Sequence, residues 1–96
     1  MNKYSINKTP LSIQKEIALK HKVLRKKAKL SQTELAQRSG VSLGSIKRFE
    51  TTGEISLASL LKSLHVLGRL SDFEKVLTYD DTMENIDKLF SDKTRK

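Results

Sequence analysis

Residues 31–53 run SQTELAQRSGVSLGSIKRFETTG, and the order of these residues decides the fold. Ser31 followed three places later by Glu34 is a capping box, the reciprocal side-chain-to-backbone pairing that opens a helix. Leu35 and Ala36 give that helix a buried side, and Gly40 is placed to end it. Val41 then serves as a turn residue and Ser42 as a new N-cap. A further helix spans about Leu43 to Thr51, with Ile46 and Phe49 facing inward three places apart. Thr51-Thr52-Gly53 breaks it. Counted from Gln32, Ala36 is the fifth residue, Gly40 the ninth, Val41 the tenth and Ile46 the fifteenth. Ala36 is small enough for the second helix to cross close over the first. Gly40 permits a positive φ in the tight turn, and Val41 with Ile46 plugs the gap between the two helices.

These constraints, agreeing at fixed offsets, give the pattern of a DNA-binding helix-turn-helix; an ordinary αα-hairpin does not require that register. In such a motif the exposed side of the second helix enters the major groove, N-terminal residues first. With Ile46 and Phe49 inside, the outward side is Ser42, Leu43, Gly44, Lys47, Arg48 and Thr51. Arg48 is the best candidate for a bidentate contact to guanine. Lys47 reads a base or a phosphate. Leu43 packs on a thymine methyl or against the preceding helix. Gly44 lowers helix propensity, and close approach of backbone to DNA is one reason to keep it there. Ser45 sits in the first turn within reach of a phosphate, and Thr51 and Thr52 add backbone contacts after the helix. Gln32, at a helix N-terminus, has a side chain and backbone N–H groups suited to a phosphate.

Outward from this motif, Thr9-Pro10 reads as an N-cap with proline in the first turn of a helix over roughly residues 10–29. Ile13, Ile17, Leu24 and Ala28 recur on its core side, and His21 interrupts them as a packing residue. Leu11, Leu19 and Val23 form a second line, read as flank packing. Lys26, Lys27 and Lys29 close the helix and complement its dipole. Lys26 and Lys27 stand as phosphate contacts. Arg25 has a bonding partner in Glu34 or Glu50, and Glu50 reads as structural, because a buried carboxylate needs such a partner. On the other side, Ser56 caps a helix with a leucine face, Leu57, Leu60, Leu61, Leu64 and Leu67. Ser71 and Glu74 repeat the capping box for a fifth helix, with Phe73, Val76 and Leu77 inside. The fold class is therefore all-α: five helices with short turns and no strand alternation. The domain organisation is a polar arm over 1–9, the helix-turn-helix domain over 10–78 and an acidic, amphipathic tail over 79–96. Met83, Ile86, Leu89 and Phe90 form a stripe in the tail, read as a dimer or partner contact because five helices already make a complete unit.

The 96 residues carry a net charge of +8, and the sequence pI is near 9.9. Residues 1–30 hold nine Lys and Arg against Glu16 alone, whereas residues 71–96 hold seven acids against five basic residues. A clustered Lys/Arg surface releases counterions from a nucleic acid and is its electrostatic footprint. There is no cysteine, which excludes a disulfide scaffold and a thiolate metal site and fits a reducing, cytoplasmic compartment. No apolar run exceeds three residues, which argues against a membrane span, and the polar first twelve residues argue against a signal peptide. Nothing catalytic assembles. His21 and His65 lack a spaced carboxylate or thiol partner, the glycines make no phosphate-cradling loop, and the acids lack calcium-loop spacing. The expectation is no enzyme, no metal and no cofactor.

Leu24-Arg25, Leu30-Ser31-Gln32, Glu34-Leu35-Ala36, Ser39-Gly40-Val41-Ser42, Ser45-Ile46 and Phe49-Glu50 resemble the Xre/Cro, lambda-repressor-like family of phage and bacterial repressors. The resemblance covers about residues 13–77 and implies a five-helix DNA-binding domain acting as a homodimer on an operator in double-stranded DNA. It also implies a phosphate contact at Gln32. Arg48-Phe49-Glu50, Gly53, Ile55-Ser56-Leu57 and Leu60-Leu61 are similar to HipB-type antitoxins. That similarity implies autorepression of a toxin–antitoxin operon and a HipA-like kinase toxin as partner. A stand-alone or phage-type regulator is the alternative within DNA-binding proteins. A protein-interaction module using the tail is the alternative of another class.

Overall fold

The computed structural model describes residues 8–78. Four α-helices and one 3-10 helix follow each other along the chain: α1 (Pro10–Lys27), α2 (Gln32–Ser39), α3 (Leu43–Thr52), α4 (Leu57–Val66), then the 3-10 helix Leu70–Lys75. Among the described residues there is no strand. The all-α architecture expected from the sequence is the one observed. The tail stripe Met83, Ile86, Leu89 and Phe90 lies outside the described residues.

Local chemistry sets each helix start. The Thr9 side chain accepts from the Ser12 backbone N–H at 3.0 Å, and the Ser12 hydroxyl accepts from the Thr9 N–H at 2.9 Å. Pro10, in the first turn, gives up no needed donor. Ser31 and Glu34 make the expected capping box, with bonds of 3.0 and 2.8 Å. Ser42 and Ser56 cap α3 and α4.

The helix ends are equally specific. Gly40 closes α2 at φ 77°. Gly53 closes α3 at φ 86°, where an added Cβ would also lie 3.1 Å from the Gln14 backbone. The Gln14 side chain donates to the Gly53 carbonyl across this junction. After α1, the Lys29 N–H bonds the Lys26 carbonyl and the Leu30 N–H bonds the Arg25 carbonyl. This is a Schellman motif, and Lys29 occupies its left-handed position at φ 61°. Helix one therefore ends two residues earlier than the sequence suggested.

The core has two connected parts. Leu30, Leu35, Ala36, Val41 and Ile46 fill the α2–α3 angle, with Leu43, Val66 and Leu67 against them. Ala18, Phe49, Leu60 and Leu64 join α1, α3 and α4, with Ile17, Ile55, Leu67 and Phe73 at the edge. Val41 and Ile46 thus fill the interhelical gap as expected.

Three expectations are corrected. The buried side of α1 is Ala18, His21 and Arg25. Ile13 and Ala28 are exposed, while Ile17 and Leu24 are half-buried. The phase shifts because His21 and Arg25 are buried by their own hydrogen bonds. Leu11, Leu19 and Val23 are exposed, with Leu19 at 63%, so they are not flank packing, and Leu57 is exposed too. The fifth helix is 3-10, begins at Leu70 without a side-chain cap, and buries none of its residues. Val76 and Leu77 are exposed, Leu77 at 87%, because no neighbouring element among the described residues covers them. Phe73 alone reaches the core edge, and one anchor does not support an α-helix that short.

Candidate nucleic-acid interface

The exposed side of α3 is one stripe: Gly44, Lys47, Arg48 and Thr51. Their spacing of three, four and seven places puts them on one helical face. Ile46 and Phe49, buried to 0% and 1%, hold the opposite face down and fix the orientation of the stripe. Ser42, also exposed, stands at the N-terminal end. Gly44 has open space around the position of a Cβ, so no neighbour in the fold requires a glycine there. Leu43 is half-buried and packs against the α2–α3 core, which is the internal alternative raised for it.

Arg48 folds along the surface to Glu54. Its Nη2 donates to Glu54 Oε1 at 2.6 Å and its Nε donates to the same oxygen at 3.0 Å. Both side chains are well exposed, and an exposed pair of this kind is held by only about 0–1 kcal/mol. Arg48 is therefore parked, not locked. Lys47 makes no ion pair among the described residues. The Thr51 and Thr52 hydroxyls donate to the carbonyls of Lys47 and Arg48, one turn back. Ser45 is half-buried, and its hydroxyl accepts from Ser42 at 2.9 Å. An open, polar cleft of about 330 Å³ joins Ser45, Arg48 and Glu54 to Ser56 and Ser59 at the start of α4. Sequence reasoning gave Ser56 only a capping role and did not single out Ser59. A second cleft, about 230 Å³, sets Lys15 and Lys22 of α1 beside Thr51. Those lysines were missed as well, because only the fold brings the middle of α1 to the end of α3.

Gln32 begins α2 but turns inward. Its amide Nε2 donates to Glu50 Oε1 at 3.0 Å. Lys26 and Lys27 are exposed in the last turn of α1.

Beneath the stripe lies a buried polar network centred on Glu50. Arg25 Nε and Nη2 donate to its two oxygens at 2.9 and 2.8 Å, and Arg25 Nη1 donates to the Leu30 carbonyl. Glu50, not Glu34, is thus the partner of Arg25. His21 is 1% exposed, with Nδ1 3.0 Å from Glu50 Oε2 and Nε2 3.1 Å from Ser63 Oγ. Its ring meets Phe49 edge-on, with centroids 5.0 Å apart. Burial alone raises the Glu50 carboxyl, but the bonds from Arg25, Gln32 and His21 and the Arg25 charge outweigh it. The net pKa lies below the ordinary carboxylate value. Burial holds His21 below the usual imidazole value, against the pull of Glu50. The ring is therefore neutral near pH 7, donating from Nδ1 to Glu50 and leaving Nε2 to the Ser63 hydroxyl. Ser63 Oγ also lies 2.9 Å from the Leu60 carbonyl, the alternative acceptor for its single proton. No buried side-chain nitrogen or oxygen among the described residues lacks a partner. The network pins α1, α2, α3 and α4 together, and Ser63 could not have been found from spacing.

A helix turned outward and held by a capped, glycine-closed partner is the geometry of major-groove insertion. The helix-turn-helix family model matches residues 22–73, more than half of the chain. The chain belongs to the helix-turn-helix family. This helix-turn-helix protein is a DNA-binding transcription regulator, and the match carries the Xre, lambda-repressor-like resemblance. No curated protein and no solved structure matches it. Among the described residues no helix is long and apolar enough to cross a membrane.

Proposed function

We propose that the protein is a sequence-specific repressor that reads operator bases with Gly44, Lys47 and Arg48 on the exposed stripe of α3. The observation that carries this reading is the stripe itself: two cations and a bare glycine on one exposed face, backed by Ile46 and Phe49. Ser42 is at the edge of that face, and Leu43 contributes what its half-burial leaves accessible. Ser45, Thr51, Thr52, Lys26 and Lys27 act on phosphates, as does Gln32 through its backbone N–H at the start of α2, its side-chain amide being held by Glu50; such contacts position the protein without reading sequence. Gly44 lets the helix backbone approach the bases closely. Two copies bind half-sites about 34 Å apart.

Within that reading, Arg48-Phe49-Glu50, Gly53, Ile55-Ser56-Leu57 and Leu60-Leu61 support a HipB-like antitoxin. Such a protein represses its own operon and binds a HipA-like kinase toxin. Selection from random duplex DNA tests the repressor reading. A two-fold symmetric site recovered over successive rounds supports it, and recovery of no common sequence refutes it. Gel shifts with the DNA upstream of the chain's own gene test autorepression. Retention of a kinase encoded by the adjacent gene tests the antitoxin reading. A symmetric site without such a kinase leaves a stand-alone regulator.

A further inference from the structure

The short 3-10 helix leaves a groove beside it. Leu61, Val66 and Leu70 form its apolar part, between the end of α2, the outer face of α4 and the start of the 3-10 helix. It measures about 380 Å³ and opens to solvent, and Arg38, Lys62 and His65 stand at its sides. Arg38 and Lys62 make no ion pair among the described residues. The groove lies apart from the α3 stripe and shares no residue with it.

The chain beyond Thr78 has the matching chemistry. Met83, Ile86, Leu89 and Phe90 fall at spacings of three and four, which is one helical face. Asp80, Asp81, Glu84, Asp87 and Asp92 surround them, with Lys88 the one cation between residues 80 and 92. The groove is apolar with cationic sides; the segment is apolar with anionic sides. Complementary potentials of this kind choose a partner and its register. Four residues lie between Thr78 and Met83, and the five Cα steps span at most about 18 Å of extended chain. The 3-10 helix that precedes Thr78 itself contributes Leu70 to the groove.

We propose that residues 80–90 dock as an amphipathic helix into the groove of the same chain, between α2, α4 and the 3-10 helix. The segment covers Leu61, Val66 and Leu70, and Glu84 and Asp87 meet Arg38 and Lys62. This supplies the layer that the short 3-10 helix leaves open. The domain is then completed within one chain, with the tail as its last helix.

The test uses the full chain, which has no cysteine of its own. Lys88→Cys takes a nitroxide label on the side of the segment opposite Met83, Ile86 and Phe90. In isotope-labelled protein, amide signals of Ser39, Leu61, Lys62, Val66 and Leu70 should lose most of their intensity, and those of Lys47 and Thr51 should not. The loss should be independent of protein concentration. Lys62→Glu should restore the signals, and adding Asp87→Lys to it should quench them again. Uniform intensities across the groove would overturn the proposal. So would quenching that appears only when labelled and spin-bearing chains are mixed, which assigns the groove to a second copy.

Discussion

In the proposed reading Arg48 is the side chain on which base reading rests, and in the free protein it lies against Glu54. The exchange of one exposed carboxylate for a guanine edge costs little, because the pair is solvated on both sides. Arg48→Ala should therefore weaken binding to the selected site by about 1–3 kcal/mol, roughly 5- to 150-fold. Binding to random duplex should change far less in the same titration. Equal losses on both DNAs would make Arg48 a phosphate contact. His21 supports a prediction of a different kind. Its pKa is lowered in the folded chain, so the unfolded chain takes up the proton first as pH falls. Stability is full above the ordinary imidazole value and declines below about pH 6.5, by up to about 1.4 kcal/mol per pH unit. His21→Gln should remove that slope in urea titrations between pH 7.5 and 5. The Glu50 contribution has its own window: a depressed carboxylate loses its stabilisation only below the ordinary value of 4.5. A slope unchanged in His21→Gln would show that the ring is not the titrating group. The sequence showed a polar residue on an apolar face and no more. That the ring reaches Ser63, 42 residues away, is a fact of tertiary packing that no local spacing encodes.

At the scale of elements, legibility followed the number of independent signals at each junction. The α2–turn–α3 unit was readable because a capping box, a small residue, a glycine, two plugs and a second N-cap all had to agree. The fifth helix carried one capping pattern, Ser71 and Glu74, and too little apolar surface to be held by anything but Phe73. Cap residues without a buried face did not make an α-helix. The end of α1 misled for another reason. The left-handed position that closes it normally signals itself with glycine or asparagine, and here it is Lys29. That position carries strain of about 1–2 kcal/mol for a residue with a Cβ, partly offset by the greater freedom of glycine when unfolded. Lys29→Gly should accordingly stabilise the domain by roughly 0.5–1 kcal/mol, seen as a rise of about 2–8 °C in melting temperature. Gly53→Ala should do the reverse and by more, since φ 86° and the Gln14 backbone both oppose a Cβ. A neutral Lys29→Gly would mean that the lysine side chain stabilises its turn in a way the backbone does not reveal.

For the whole molecule, net charge was the least informative number until the fold divided it. Most of the excess lies on α1 and the arm before it, the stripe on α3 holds only Lys47 and Arg48, and the tail beyond Ser71 is acidic. Lysines outside the reading helix can bring the protein to DNA and set its register, but they cannot distinguish one site from another. Lys27 tests this division, because it is exposed in the last turn of α1 and belongs to no ion pair among the described residues. Each phosphate neutralised contributes about −0.9 to the slope of log K against log salt. Lys27→Ala should make that slope shallower by roughly one such step and lower affinity for the selected site and for random duplex by the same factor. Because the lost energy is counterion release, the two proteins should converge as salt rises, and the difference should be largest in dilute buffer. Arg48→Ala should keep much of its penalty at high salt, since a guanine contact is not bought with released ions. The pair of salt titrations thus separates positioning charge from reading charge in a single experiment. Parallel slopes for Lys27→Ala and the parent chain would place the basic end of α1 away from DNA and leave positioning to the clefts at Ser56 and Lys22.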